Sequence, residues 1–341
     1  VWLAAAKIEW ENNEVERARV LLRRARDRAP TNRVYMKSAI LERECQQLDD
    51  ALDLIEEGIQ RYPTFCKFYM MGGQICSDDL TPKSKYTLDR ARKFYQRGLQ
   101  ACPNSIVLWT LASHLEERAF TFEQKGTERQ NGNGGSVTST NGFAPKSTTH
   151  AGVTKARSLF ELARLKNPKQ PDLWVEAIRL ERRAANDKLA GTLMARALQE
   201  CPTSGLLLAE NIRTAPRVEQ KSKSADAIRK CPDDYQVISA VALLFASDRK
   251  TVKARKWFDR AVVLDPDQGD SWAKYYALEL ETGTPEQQAN IKERCIAADP
   301  HHGELWCTIL KQMSNHRKTV AEGLELVARQ IMDQRSQTTL T

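Results

Sequence analysis

The sequence has few of the features that mark membrane, metal-binding or disulfide-bonded proteins. No apolar run reaches the roughly 18 residues of a membrane span. The five histidines are scattered, and no Cys-x-x-Cys or close Cys/His pairing of the zinc type occurs. The chain opens at Val1-Trp2 with neither an initiator Met nor the charged start and apolar stretch of a signal peptide. We therefore expect a soluble fragment of a longer chain, with reduced cysteines in the cytosol or nucleus.

The composition is that of a folded protein. Of 341 residues, 41% are apolar and 28% are charged, and 52 basic against 44 acidic residues give a net charge of +8. This usage is ordinary for globular chains and argues against a disordered polymer. The length suggests roughly two domains, but that prior fails for repeat proteins, because they grow along one axis without closing a single core.

A recurring proline divides most of the chain into similar segments. Eight prolines each end an amphipathic segment, most of them about 34 residues apart, namely Pro30, Pro63, Pro103, Pro168, Pro202, Pro232, Pro266 and Pro300. A small residue stands five places before each of them, and Ala stands twelve places before six of them. Because seven residues are nearly two helical turns, both small positions share one face and let a neighbouring helix approach closely. A period near 34 indicates stacked helix pairs.

An aromatic residue recurs near the start of the first helix of a pair. The positions are Trp2, Tyr35, Trp109, Trp174, Trp272 and Trp306. In uninterrupted repeats this residue precedes the proline that ends the second helix by 28 residues. Large flat side chains at this spacing indicate wedges between helices, an interpretation favoured over ligand stacking. The sequence therefore predicts an all-α fold, a right-handed superhelical solenoid of antiparallel helix pairs.

An arginine and a glutamate occur together from repeat to repeat. The Arg follows the first small residue of a second helix, and the Glu lies 23 or 24 residues later, in the next first helix. The pairs are Arg19 with Glu42, Arg92 with Glu116, Arg157 with Glu181, and Arg255 with Glu279. Where the Arg is replaced by Leu52, Gly191 or Ala289, the Glu place holds Cys76, Ala215 or Met313. Antiparallel helices would bring both charges level, so we predict ion pairs between successive repeats that set the superhelical twist.

Segments of different composition interrupt and close the repeats. Residues 123–152 contain one aromatic residue and many Gly, Asn, Ser and Thr, which predicts a flexible low-complexity insertion. We predict repeats over 1–122 and 153–316 on either side of it, and a capping helix and tail over 317–341. Pro216 predicts that the second helix around it is shortened by about a turn.

Residues that could carry chemistry are sparse. Cys295, His301, His302, Glu304 and Cys307 could be drawn as a metal site. However, the first of them takes a small core position and the last follows a core tryptophan, so no metal site is expected. Most carboxylates fall on helix faces, and no catalytic arrangement is found. We expect no enzyme activity, no cofactor and no small-molecule substrate.

The first repeat carries a strongly basic stretch. Residues 17–33 hold seven Arg against one acidic residue, Asp27. The candidates for contact with RNA phosphate or an acidic partner are Arg17, Arg23, Arg24, Arg26 and Arg28. The favoured interpretation is a solvated helix whose arginine stems cover apolar edges, because no interleaved aromatic residues offer a base-stacking platform.

The repeat resembles the half-a-tetratricopeptide (HAT) repeat. Tetratricopeptide repeats share the 28-residue spacing but usually carry Tyr seven residues after the aromatic. This chain has Glu there, at Glu9, Glu42, Glu116, Glu181 and Glu279. HAT repeats also favour the Arg that follows the small residue of the second helix.

Longer runs resemble the C-terminal half of the pre-mRNA-processing factor six family, the bridging component of the spliceosomal tri-snRNP. They include VYMKSAILERE (34–44), ALDLIEEGIQRYP (51–63), PTSGLLLAENI (202–212), KSKSADAIRKC (221–231), KARKWFDRAVVLDPDQGDSWA (253–273) and HGELWC (302–307). The resemblance implies a non-catalytic nuclear scaffold that bridges small nuclear ribonucleoproteins (snRNPs) through protein contacts. At most a peripheral contact with small nuclear RNA is implied, and no membrane contact. Two alternatives stay open: a HAT-repeat scaffold in 3′-end or ribosomal RNA processing, and a directly RNA-binding helical array.

Overall fold

The computed structural model describes residues 1–78, 87–130, 150–312, 314–315 and 317–340. Within these ranges the secondary structure is helical apart from one isolated parallel bridge between Gln268 and His302. The helices are α1 (Trp2–Glu11), α2 (Val15–Arg28), α3 (Asn32–Glu44), α4 (Leu48–Arg61), α5 (Cys66–Asp78), α6 (Leu88–Ala101), α7 (Ile106–Gln130), α8 (His150–Lys166), α9 (Pro171–Arg183), α10 (Asp187–Glu200), α11 (Gly205–Thr214), α12 (Arg217–Lys230), α13 (Tyr235–Ser247), α14 (Thr251–Leu264), α15 (Gly269–Thr282), α16 (Pro285–Ala298), α17 (Glu304–Leu310) and α18 (Val320–Leu340).

The helices pack as successive pairs within two compact units. In the first unit, residues 1–191, α1 packs on α2, α3 on α4, α5 on α6 and α7 on α8. In the second unit, residues 192–341, the same holds for α11 with α12, α13 with α14, and α15 with α16. Helix α10 begins in the first unit and continues in the second. The predicted all-α fold of helix-pair repeats is confirmed.

The recurring prolines end the second helices. Helices α2, α4, α6, α8, α10, α12, α14 and α16 each end two residues before one of the eight prolines. The reason is that a residue directly before proline is disfavoured in the α conformation. That residue has a similar backbone at Ala29, Tyr62 and Cys102, with φ between −145° and −132° and ψ between 63° and 67°. The proline thus stops each second helix at the same register.

The small positions allow the close helix contacts that the sequence predicts. Ala18, Ala91 and Ala156 have no exposed surface. At Gly98 a Cβ atom would lie 2.7 Å from the Cβ of Tyr69 on the neighbouring helix, which is closer than real Cβ contacts. A larger residue at such a position must therefore displace the facing helix.

Two sequence predictions about helix ends need correction or restriction. The prediction of a shortened second helix near Pro216 is wrong, because α12 has 14 residues and the shorter helix is α11, with 10. Ala215 has an extended backbone with ψ of 150° directly before the proline, so the proline ends the first helix instead.

Part of the predicted insertion is helical, since α7 continues to Gln130 and α8 begins at His150. Residues 131–149 lie outside the described residues, and a flexible insertion there stays a prediction.

The C-terminal helix packs across the end of the second unit. Helix α18 contacts α15, α16 and α17. Its apolar side chains Leu324, Val327, Ala328 and Ile331 are buried in one cluster with residues of α15. None of the helices in the described ranges has the length and apolar character needed to cross a lipid bilayer.

Candidate functional site

The recurring aromatic residues fill the helix interfaces and bond to the prolines. Tyr35, Trp109, Trp174, Trp272 and Trp306 are buried, whereas Trp2 on the first helix is half-buried. The indole N–H groups of the tryptophans at 109, 272 and 306 donate to the carbonyls of the recurring prolines six residues earlier, at 2.8, 2.8 and 2.9 Å. The wedge therefore also satisfies a carbonyl at the end of the preceding helix.

Tyr35 and Trp174 make different polar contacts. The Tyr35 hydroxyl donates to the Glu57 carboxylate at 2.9 Å, and the guanidinium of Arg61 lies 5.5 Å from its ring centre. The Arg164 guanidinium lies 4.3 Å from the ring centre of Trp174. Their contacts are with side chains of the protein itself, as expected for wedges between helices.

The structure brings all four predicted Arg–Glu pairs together. In each pair the arginine Nε and Nη2 atoms donate to the two oxygens of one carboxylate. The distances are 3.0 and 2.7 Å for Arg19 with Glu42, 2.6 and 3.0 Å for Arg92 with Glu116, 2.5 and 2.7 Å for Arg157 with Glu181, and 2.8 and 3.1 Å for Arg255 with Glu279. These bidentate bonds join α2 to α3, α6 to α7, α8 to α9, and α14 to α15. Each is a charge-assisted link between successive repeats.

The four pairs differ in burial. The glutamate side chains retain 13% exposure at Glu42 and 12% at Glu116, but only 2% at Glu181 and 1% at Glu279. In every pair the hydrogen bond with the glutamate is the largest cause of an arginine pKa above its usual value. The glutamates of two pairs are therefore almost completely buried and those of the other two slightly exposed, whereas the four arginines are similarly exposed, at 22–27%.

Apolar residues replace the pair in the second repeat. Leu52 and Cys76 are 1% and 0% exposed and belong to the same core cluster. Of the other two exceptions, Ala289 with Met313 cannot be compared, because Met313 lies outside the described residues. At the positions of the Arg–Glu pair, the contact between α4 and α5 is therefore apolar.

Sequence reasoning missed a second set of links between repeats. At several positions directly before a recurring proline, the side chain bonds back to a carbonyl in the preceding repeat's turn. Tyr62 donates to the carbonyl of Pro30 at 2.8 Å, and Asn167 donates to that of Pro103 at 3.1 Å. The thiol of Cys102 lies 3.3 Å from the carbonyl of Thr64. In the sequence, the recurrence of polar or thiol side chains directly before the prolines could have indicated these links.

First helices also bind one another by charge, across the predicted insertion. The Arg183 guanidinium on α9 donates to both oxygens of Glu117 on α7, at 2.8 and 2.9 Å. His114 on α7 lies 3.0 Å from Glu176 on α9. Burial would raise the pKa of Glu176, but the His114 bond and the Arg179 charge together hold it below its usual value. These residues are 62 and 66 positions apart, so repeat spacing gave no signal for them.

The candidate basic residues of α2 fall into two groups. Arg26 donates to the Ser38 hydroxyl at 2.7 Å, so this guanidinium is used within the fold. Arg17 is exposed and lies 3.8 Å from a carboxylate oxygen of Glu9 and of Glu14. The other three, Arg23, Arg24 and Arg28, are exposed, and within the described residues no carboxylate lies within 4.0 Å of their guanidinium nitrogens.

The five residues considered for a metal site are used in other contacts. Cys295 is buried in the core of the second unit, and burial raises the pKa of its thiol to about 12. The ring Nδ1 of His302 lies 2.5 Å from Asp267, and the Cys307 thiol lies 3.4 Å from the carbonyl of His301. Over the ranges that the structure describes, no three His, Cys, Asp or Glu side chains are grouped to hold a metal ion.

A family model supports the repeat assignment. The model for the tetratricopeptide repeat matches residues 3–64, which span most of α1 through α4. A tetratricopeptide repeat is a pair of helices, and the matched residues form two such pairs, α1 with α2 and α3 with α4. The finer assignment to HAT repeats stays a prediction from the sequence.

The relatives are pre-mRNA splicing factors. The chain is 40% identical over 319 residues to Pre-mRNA-splicing factor prp1 of Schizosaccharomyces pombe, covering 94% of this chain and 31% of that protein. It is 49% identical to human Pre-mRNA-processing factor 6 over 115 residues, 34% of this chain and 12% of that one. With Pre-mRNA-splicing factor 6 of Saccharomyces cerevisiae it shares 23% identity over 289 residues, 83% of this chain and 28% of that one. The chain thus spans less than a third of the length of these relatives. The predicted resemblance is confirmed: this chain is homologous over 94% of its length to part of the fission yeast splicing factor prp1, and over 34% to part of human Pre-mRNA-processing factor 6.

Proposed function

We propose that this chain acts in pre-mRNA splicing as a non-catalytic nuclear scaffold that bridges snRNP proteins of the tri-snRNP. The observation that carries the proposal is the 40% identity with the fission yeast splicing factor over 94% of this chain. Because the similarity extends through nearly every helix pair, the relationship concerns the repeat array and not a single repeat.

The way the repeats are joined supports a scaffold. The features that recur from repeat to repeat, that is the aromatic wedge, the small positions and the Arg–Glu pair, make contacts between helices. Such an array leaves its outer helix faces free for partners, and several repeats together can supply the more than roughly 1,000 Å² that a stable interface needs. Binding energy would be spread over many repeats, so a single surface substitution would weaken binding only slightly.

Affinity purification from nuclear extract tests the proposal. The tagged 341-residue chain should recover snRNP proteins, and recovery should persist after RNase treatment because the contacts are between proteins. A variant with Arg157→Ala and Arg255→Ala, which breaks the two pairs whose glutamates are almost completely buried, should recover less of these snRNP proteins. The control variant Lys93→Ala with Lys188→Ala changes two exposed lysines and should behave like the wild type.

Other outcomes decide between the alternatives. Recovery of 3′-end or ribosomal RNA processing proteins in place of snRNP proteins would transfer the scaffold to another complex. Recovery that disappears entirely with RNase would favour the directly RNA-binding array. Recovery of no RNA-processing component would refute all three.

A further inference from the structure

We propose that the exposed face of α2 formed by Arg17, Arg23, Arg24 and Arg28, here called the α2 basic face, binds the phosphate backbone of RNA. This inference rests on the proposed function and adds an RNA partner to it. Arg23, Arg24 and Arg28 are exposed and have no carboxylate partner in the described part of the chain.

Several arginines on other second helices are compensated within the protein, although among the described residues Arg90 on α6 and Arg217 on α12 have no carboxylate within 4.0 Å. Arg92 and Arg97 on α6 bind Glu116 and Glu56 at 2.6 and 2.8 Å. On α14, Arg260 binds Asp233 at 2.9 Å. By contrast, three arginines of the α2 basic face have no carboxylate within 4.0 Å in the described part of the chain. Only Arg17 has acidic neighbours, at 3.8 Å.

Three arginines of the α2 basic face lie along one edge of the helix. Arg17, Arg24 and Arg28 are separated by steps of seven and four residues, which place them within about 40° of one another around the helix axis. At a rise of 1.5 Å per residue they span roughly 16 Å along the axis. A backbone running beside α2 would meet this row of positive charge, whereas Arg23 lies about 100° further around the exposed side of the helix.

The choice of arginine points to phosphate. Residues 17–33 contain seven Arg and no Lys. A surface that only needs positive charge for solubility can use either residue, whereas the planar guanidinium is suited to bidentate phosphate binding. The favourable interaction of Arg28 with the C-terminal end of α2 accounts for one of these residues and not for the row.

The surroundings favour RNA over an acidic protein. Protein interfaces are anchored by buried aromatic or large apolar side chains. Among the large apolar side chains of α2, Val20 is the exposed one, at 45%, and there is no aromatic residue on this helix. A charged face without an apolar anchor fits a sequence-independent backbone contact.

Fluorescence anisotropy with a labelled 20-nucleotide single-stranded RNA of mixed sequence tests the inference on the full 341-residue chain. Three phosphate contacts, one for each arginine of the row, predict that log K falls with log salt concentration with a slope of about −2. Arg24→Glu with Arg28→Glu should lower affinity at least about 10-fold at low salt and reduce the slope by about 1.4. Lys93→Glu with Lys188→Glu makes the same change in net charge on other helices and should have a much smaller effect.

Three results would overturn the inference. They are equal loss in both variants, no loss in the α2 variant, and α2-dependent binding of polyglutamate with no binding of RNA. Circular dichroism should show the same helix content in both variants, since all four residues are exposed. The α2 variant should still recover snRNP proteins from nuclear extract, so failure of this inference and failure of the proposed function are separate outcomes.

Discussion

The four Arg–Glu pairs form a series in which burial varies while chemistry stays the same. We compare Arg255→Met with Arg19→Met. Both changes remove two bonds to a carboxylate on the following helix. They differ in what is left behind, because the side chain of Glu279 is 1% exposed and that of Glu42 is 13% exposed. Arg19 also binds Glu16, but that side chain is 81% exposed and contributes little.

The expected losses of folding free energy follow from this difference. Without Arg255, Glu279 is a buried charge with no cation beside it, and breaking such a pair costs about 3–5 kcal/mol. Without Arg19, water reaches Glu42 and solvates part of the charge, so we expect about 1–2 kcal/mol. Replacing both partners, as in Arg255→Met with Glu279→Leu, removes the buried charge and should cost at least about 1 kcal/mol less than Arg255→Met alone.

Urea unfolding followed by circular dichroism measures these losses, with hydrogen exchange of α14 and α15 as a local readout. Equal losses at the two sites would refute the link between burial and cost. A loss below 1 kcal/mol for Arg255→Met, or a double variant less stable than the single one, would refute the claim that the unpaired glutamate is the source of the instability.

Two further predictions concern helix contacts and pH. Gly98→Ala should destabilise the fold by about 1–3 kcal/mol in urea unfolding, because the added Cβ would lie 2.7 Å from a tyrosine carbon on the next helix. Gly191→Ala is the matched control; it has nothing within 4 Å and should stabilise by up to about 1 kcal/mol, so destabilisation there would contradict the packing argument. The pKa of Glu176 is below its unfolded value of 4.5, so its ionised form stabilises the fold above that pH and the contribution is lost as pH falls. Between pH 6 and pH 3 the wild type should therefore lose more stability than Glu176→Gln, and parallel pH profiles would exclude the contact with His114 as a source of acid sensitivity.

The sequence predicted those parts of the fold that depend on a repeated spacing. Proline positions predicted where second helices end, and the joint occurrence of Arg and Glu predicted which side chains meet, because both rules act within one helix-turn-helix. The contacts between Arg183 and Glu117 could not be predicted this way, since an insertion separates α7 from α9 and neither residue stands at a position that recurs from repeat to repeat. Near Pro216 the sequence predicted a shortened second helix, but the short helix is the first one, α11. The spacing shows that a turn is missing from the repeat, and it does not show on which side of the proline.

The second repeat shows what the buried pairs contribute. There Leu52 and Cys76 close the joint with apolar contact, so charge is not required for successive repeats to pack. A buried ion pair is often no more stabilising than apolar residues of similar volume. What the pair adds is geometry, because two donors of one planar group meet two oxygens of one carboxylate and a slip by one turn, about 5.4 Å, would leave a buried charge unpaired. Apolar surfaces tolerate small slips far better. In the proposed scaffold, partners would contact several repeats at once, so we expect the spacing between those contacts to contribute to affinity and the Arg–Glu pairs to help fix that spacing.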